Sequence, residues 1–264
     1  MVKTSLEEGI DVIFVGAGLP LTLPEYLSPG MKTKLVPIIS SVRAASLLLK
    51  KWVTQFNYLP DAFVVEGPMA GGHLGFKREQ LSDSEYTLER LIPQVLQEVK
   101  VYEEEYNGKI PVIAAGGIFT GQDIRRFIHL GAAGVQMGTR FVTTNECDVS
   151  MEFKKAYIDC KEEDIVIIDS PVGLPGRAIR NEFIQAVEKR EKQPFTCPYR
   201  CIKTCNYKES LYCIALALMN AMKGNLKSGF AFAGQNAYKL KTILSVNELM
   251  ETLKNEYASA LGNA

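Results

Sequence analysis

Residues 110–141 read IPVIAAGGIFTGQDIRRFIHLGAAGVQMGTRF. Six nearly continuous apolar residues, Ile110 to Ala115, run into paired glycines. A stretch of helical period follows, opened by Thr120-Gly121-Gln122-Asp123 and closed at Gly131, and then a second short apolar run, Gly134 to Met137, ends in Gly138. An apolar run without alternation is what a strand covered on both faces requires, and a helix between two such runs is the crossover of a parallel βα unit. Working outward, the same kind of run recurs at Ile10 to Val15, Leu35 to Ile39 and Ala62 to Val65. Each is followed by a loop rich in Gly, Ser or Pro, and the segments Ala44 to Phe56 and Ser84 to Tyr106 carry apolar residues at three- and four-residue spacing. The pattern predicts an α/β fold of TIM-barrel type, built from parallel βα units. After Phe141 the apolar positions recur mostly at helical spacing, with SPVGLPGRAI as a loop. The expected organisation is therefore five βα units over residues 1–144 and a mostly helical C-terminal part over 145–264.

The 264 residues carry 30 basic and 30 acidic side chains. Neither sign is gathered into a block, so the electrostatic footprint of a nucleic-acid binder is missing. MVKTSLEEGIDVIFVGAG at the N-terminus has charges in its first eight residues and only a short apolar run, which fits neither a signal peptide nor a membrane span. The expectation is a cytoplasmic protein without nucleic-acid or membrane partners. Its six cysteines then read as thiols. Four of them fall in CPYRCIKTCNYKESLYC, residues 197–213. The two-residue gap of zinc sites is absent, so burial of Cys197, Cys201 and Cys205 along one helical face is favoured over metal binding by these three and Cys213.

Ligands of such folds bind at the C-terminal ends of the strands. Gly116 and Gly117 after one strand, and Gly138 with Thr139 after the next, suit a phosphate: glycine lets backbone N–H groups approach the anion, and the threonine hydroxyl adds a hydrogen bond. Tight turns alone are the other reading of these glycines. EGPMAGGHLGF holds His73, one of only two histidines in the chain. Its position suits proton exchange near neutral pH, the alternative being a structural role. His129, late in a helix, reads as a surface residue. Arg177 and Arg180, near SPVGLPGR, read as surface or interface residues, with contact to an acidic substrate or carrier as the alternative.

Taken together, E-G-P-M-A-G-G-H-L-G, A-A-G-G-I and V-Q-M-G-T-R-F resemble the nitronate monooxygenases (older name 2-nitropropane dioxygenases) and the FMN-dependent enoyl-acyl-carrier-protein reductases that share their fold. The resemblance covers roughly residues 1–180. It implies an FMN-dependent oxidoreductase acting on a small molecule or an acyl thioester: a nitronate monooxygenase that oxidises alkyl nitronates with oxygen, the alternatives being an enoyl reductase or a catalytically incomplete flavin-binding subunit. Gly71, Gly72, Gly116, Gly117, Gln136, Met137, Gly138 and Thr139 would surround FMN, Glu66 would stand where relatives often carry Gln close to the flavin ring, and His73 would handle the substrate proton. Met69 stands where the family usually has Glu. Relatives also begin with three further βα units, which nothing before Ile10 can supply. Five strands do not close an eight-stranded barrel, so the barrel is expected to be incomplete, with the open edge at Ile10 to Val15 covered by a longer form of the chain, a second copy or a partner chain.

Overall fold

A computed structural model describes residues 2–16, 18–191, 196–197, 201, 205–206 and 208–261 of the chain. They form two compact units. The first comprises Met1–Pro68, Glu79–Ile118 and Gln122–Gln136; the second comprises Met69–Arg78, Phe119–Gly121 and Met137–Ala264.

The first unit is built on the expected strands: β1 (Val12–Val15), β2 (Lys34–Ile39), β3 (Phe63–Glu66), β5 (Val112–Ala115) and β6 (Gly134–Gln136), with β4 (Gly72–His73) belonging to the second unit. All pairings are parallel and the order is β1-β2-β3-β5-β6. Strand order follows chain order without reversal, as in a βα barrel and unlike a doubly wound sheet, where the order turns back at a switch point. Phe63, Val64 and Val65 of the central strand have no exposed surface. The apolar run without alternation therefore has the meaning read from it. At the edge, β1 leaves Phe14 53% exposed.

The helices follow from their caps and stripes. In α2 (Val42–Phe56), the Ser41 side chain accepts from Ala44 N at 3.2 Å, and Asn57 ends the helix with φ 49°. Ala45, Leu48, Leu49 and Trp52 are fully buried along one face. Trp52 also donates its indole N–H to Pro20 O at 3.0 Å and meets Tyr58 edge-on. α3 (Leu88–Tyr106) buries Leu91, Ile92, Val95 and Val99, and Asn107, at φ 47°, terminates it. α1 (Val2–Glu7) precedes β1, and α4 (Gly121–His129) follows β5. His129 is the last residue of α4 and is exposed, as read from the sequence.

The second unit departs from the helical expectation. It does contain helices: α5 (Thr139–Val142), α6 (Met151–Asp159), α7 (Glu182–Glu188), α8 (Ile214–Met222) and α9 (Val246–Leu261). It also contains an antiparallel sheet of order β4-β8-β7, from β4 (Gly72–His73), β7 (Ile165–Asp169) and β8 (Pro175–Ile179). SPVGLPGRAI is thus no loop throughout: its last residues form β8, and Ser170 to Leu174 make the hairpin turn, with Gly173 at φ 83° and Gly173 N donating to Ser170 O at 2.9 Å. Phe183, Tyr212, Phe230 and Phe232 form a chain of ring contacts over this sheet. Their aromatic faces stabilise a sheet too small to hold together alone.

The cysteine segment lies largely outside the described residues. Of its members, Cys201 is exposed and Cys197 and Cys205 are half-buried, none within an assigned helix, so the described residues do not bear out burial along one helical face. Among the described residues, no group of His, Cys, Asp or Glu could hold a metal ion, and no helix is long and apolar enough to cross a membrane.

Candidate functional site

In the first unit the parallel register brings the C-terminal strand ends to one edge. Glu66 ends β3 opposite Ala115, and Gly67 N donates back to Ala115 O at 2.8 Å. Gly67 is glycine for packing, since a Cβ there would sit 2.9 Å from Leu88 Cβ. Gly116 and Gly117 follow β5 with φ of 88° and 85°. Both lie at positive φ, which glycine adopts without strain, and the missing side chains let a ligand approach the backbone closely. Burial pushes the Glu66 carboxyl up to about 7, which favours its neutral form over a wide pH range. Gln136, the last residue of β6, is exposed.

In the second unit β4 carries the histidine. Its pairing with β8 sets Gly72 opposite Arg177 and His73 opposite Gly176, and Leu74 N donates to Pro175 O at 2.8 Å. Gly72 has φ 78°, a conformation that favours glycine. Gly71 is fixed differently: a Cβ there would lie 2.6 Å from Ala233 C and from Gly234 N. Both glycines named as cofactor residues therefore have a reason to be glycine within the protein itself. His73 Nε2 lies 2.7 Å from Ser170 Oγ, and its ring meets Phe232 edge-on at a centroid distance of 5.0 Å. Burial draws its pKa below the ordinary 6.5.

Arg177 corrects the surface expectation. It is 4% exposed and donates from Nη1 to Ala70 O at 2.5 Å, and burial draws its guanidinium down to about 10. It braces the backbone two residues before Gly72. Arg180 does lie at the surface, paired with Glu188 at 2.6 Å. Thr139 Oγ1 accepts from Gly234 N at 3.2 Å, which leaves its O–H available to donate. Gly138, the N-cap of α5, meets nothing within 4 Å of an added Cβ, and Met137 beside it is half-buried. Ser170, Phe232 and the Ala233–Gly234 backbone were missed in the sequence. The first had a signal, a Ser-Pro pair directly after the β-branched run IVIID.

A family model described as nitronate monooxygenase matches residues 1–256. The chain belongs to the nitronate monooxygenase family. Within that family, a probable nitronate monooxygenase of Staphylococcus saprophyticus is 32% identical over 192 residues, spanning 71% of this chain and 49% of its own length. One of Staphylococcus haemolyticus is 31% identical over 207 residues, 76% of this chain and 52% of its own length. The chain thus spans about half the length of the curated relatives it matches. Among solved structures, FabK from Thermotoga maritima superposes with a TM-score of 0.74 at 27% identity, over 99% of this chain and 72% of its own. A nitroalkane oxidase from Streptomyces ansochromogenes shares the fold, with a TM-score of 0.72 at 24% identity over 99% of this chain and 68% of its own. The sequence resemblance and the TM-barrel type α/β fold read from it agree with these findings.

Proposed function

We propose that the chain acts as an FMN-dependent oxidoreductase that oxidises alkyl nitronates with oxygen. The observation that carries this is His73, a histidine braced on a short strand by Ser170 and Phe232 and kept neutral by burial near neutral pH. Such an imidazole can take a proton from a substrate carbon or guide its return. FMN, when bound, supplies the acceptor for the substrate's electrons and their onward transfer to oxygen. The residues suit this cofactor's anionic and polar groups. In the first unit, the Gly116–Gly117 backbone is a phosphate candidate and Glu66, as a neutral carboxyl, could donate a hydrogen bond to a flavin oxygen or nitrogen. In the second, Gly138 leaves open space and Thr139 retains a hydroxyl hydrogen. The visible spectrum of the purified chain tests the cofactor: oxidised flavin absorbs in the yellow-giving region, and a chain that neither carries nor takes up FMN refutes the reading.

The likeness to FabK favours a second reading, reduction of an enoyl thioester. Turnover of propionate 3-nitronate against an enoyl thioester, with oxygen and NADH varied separately, separates the two.

A further inference from the structure

His73 is held more closely than a loop residue needs to be. β4 is two residues long, yet its partner β8 pairs both of them, and Arg78, four residues after Leu74, donates to Ile167 O and to the Asp169 carboxylate at 2.8 Å. The segment carrying the imidazole is thereby pinned to both strands of the hairpin. At the turn of that hairpin stands Ser170, 7% exposed, with Oγ accepting from Val172 N at 3.4 Å and lying 2.7 Å from His73 Nε2. Among the described residues, no hydrogen bond engages His73 Nδ1. The charged side chains on the neighbouring strands are turned elsewhere: Arg177 to Ala70 O and Asp169 to Arg78.

We propose that Ser170 is the positioning residue of His73, its hydroxyl holding Nε2 so that Nδ1 is the ring nitrogen that takes and returns the proton. The inference rests on the reading of His73 as the proton-handling group. A serine hydroxyl suits the task because it accepts from Nε2–H equally in the neutral ring and in the imidazolium. Protonation at Nδ1 then leaves the bond in place and makes it charge-assisted, and so stronger. A carbonyl would also accept from Nε2–H, but a hydroxyl on a turn closed by Gly173 is in addition fixed by the Val172 N–H. With Nε2 held and Phe232 against the ring, neither rotation of the imidazole nor exchange of the roles of its nitrogens is free.

Two histidines make the test direct, because ring ¹⁵N spectra of the full chain contain only His73 and His129, and His73→Ala assigns them. In the wild-type chain the neutral His73 ring is expected with hydrogen on Nε2. In Ser170→Ala the two tautomers should mix, the His73 titration should move further down in pH, and turnover of propionate 3-nitronate by the FMN-loaded chain should fall about tenfold with KM little changed. Ser170→Thr, which keeps the hydroxyl, should restore both. A wild-type ring with hydrogen on Nδ1 overturns the proposal, and that measurement stands even if Ser170→Ala does not fold. An alanine variant with unchanged spectra and turnover overturns it too. If His73→Ala retains full turnover, the proton-handling reading fails by itself, while the spectra still decide whether Ser170 holds Nε2.

Discussion

Replacing Gly71 with alanine should damage both the fold of the second unit and the placement of His73. The new Cβ would stand 2.6 Å from Ala233 C and Gly234 N and 2.9 Å from Ala233 O, against about 3.4 Å for ordinary contact, so two backbone segments must part by about 0.8 Å. Backbone cannot swing aside as a flexible side chain would. Overpacking of this kind costs about 1–3 kcal/mol, which for a protein of this size lowers the melting temperature by roughly 4–8 °C at the middle of that range. His73 lies two residues on, and a displacement approaching 1 Å at a reacting group costs about a hundredfold in rate. Gly138→Ala is the comparison. Its backbone, at φ −123°, accepts alanine, and the added methyl meets nothing within 4 Å. That variant should melt as the wild type does, yet lose FMN affinity if Gly138 approaches the cofactor. Thermal melts of the flavin-free chains, FMN titration and nitronate turnover measure the three effects. A Gly71→Ala chain that melts within 1–2 °C of wild type and turns over normally would refute the packing argument, since the predicted cost exceeds that shift.

His73→Ala should lower turnover by roughly a hundredfold or more with FMN binding kept, and because burial holds its pKa down, the acid limb of the wild-type profile should fall below about 6.5; unchanged kinetics would return the residue to structure. Trp52→Ala empties a fully buried site in the first unit and removes the bond to Pro20 O, so denaturant titration should show a loss of about 3–5 kcal/mol, and Trp52→Phe a smaller one. For Glu66, raised from 4.5 to about 7, the folded flavin-free chain holds its proton after the unfolded chain has released it. Stability from this group is therefore lost as pH rises from 4.5 toward 7, and Glu66→Gln should gain on the wild type by about 2 kcal/mol at pH 8 and nothing at pH 4, allowing for partial exposure. Parallel stability curves for the two proteins would count against that burial.

The first unit was legible because its central strands are covered on both faces. A parallel strand must then be apolar throughout, and Phe63-Val64-Val65 or Val112 to Ala115 can hardly be read otherwise. In the second unit the helices were legible from their period, and the small antiparallel sheet was not. IVIID is short, half-buried and flanked by helices, so its period does not separate strand from helix, and β8 contains Pro175, Gly176 and Arg177, residues that strands usually avoid. Pairing with β4 and burial of Ala178 override that local preference. Arg177 was read as a surface residue from its charge, but the Ala70 carbonyl satisfies it in the interior. Ser170 sits 97 positions from His73, and no local pattern can show such a contact.

Gly71, Gly116 and Gly138 carry one letter and three different constraints. Gly116 needs a left-handed backbone, Gly71 needs room for the Ala233–Gly234 backbone, and Gly138 needs neither. In the sequence all three become cofactor glycines, Gly116 and Gly138 from their strand-end loops and Gly71 from the family resemblance. The structure divides them by what a Cβ would strike. Gly71 is accounted for by the protein, which weakens its claim on FMN; Gly116 has a conformational reason; Gly138 caps α5 with neither a clash nor a positive φ to require glycine. Space around an added Cβ is what a ligand approaching Gly138 would need, so FMN titration of Gly138→Ala, and not its melt, is the measurement that separates a ligand role from a cap.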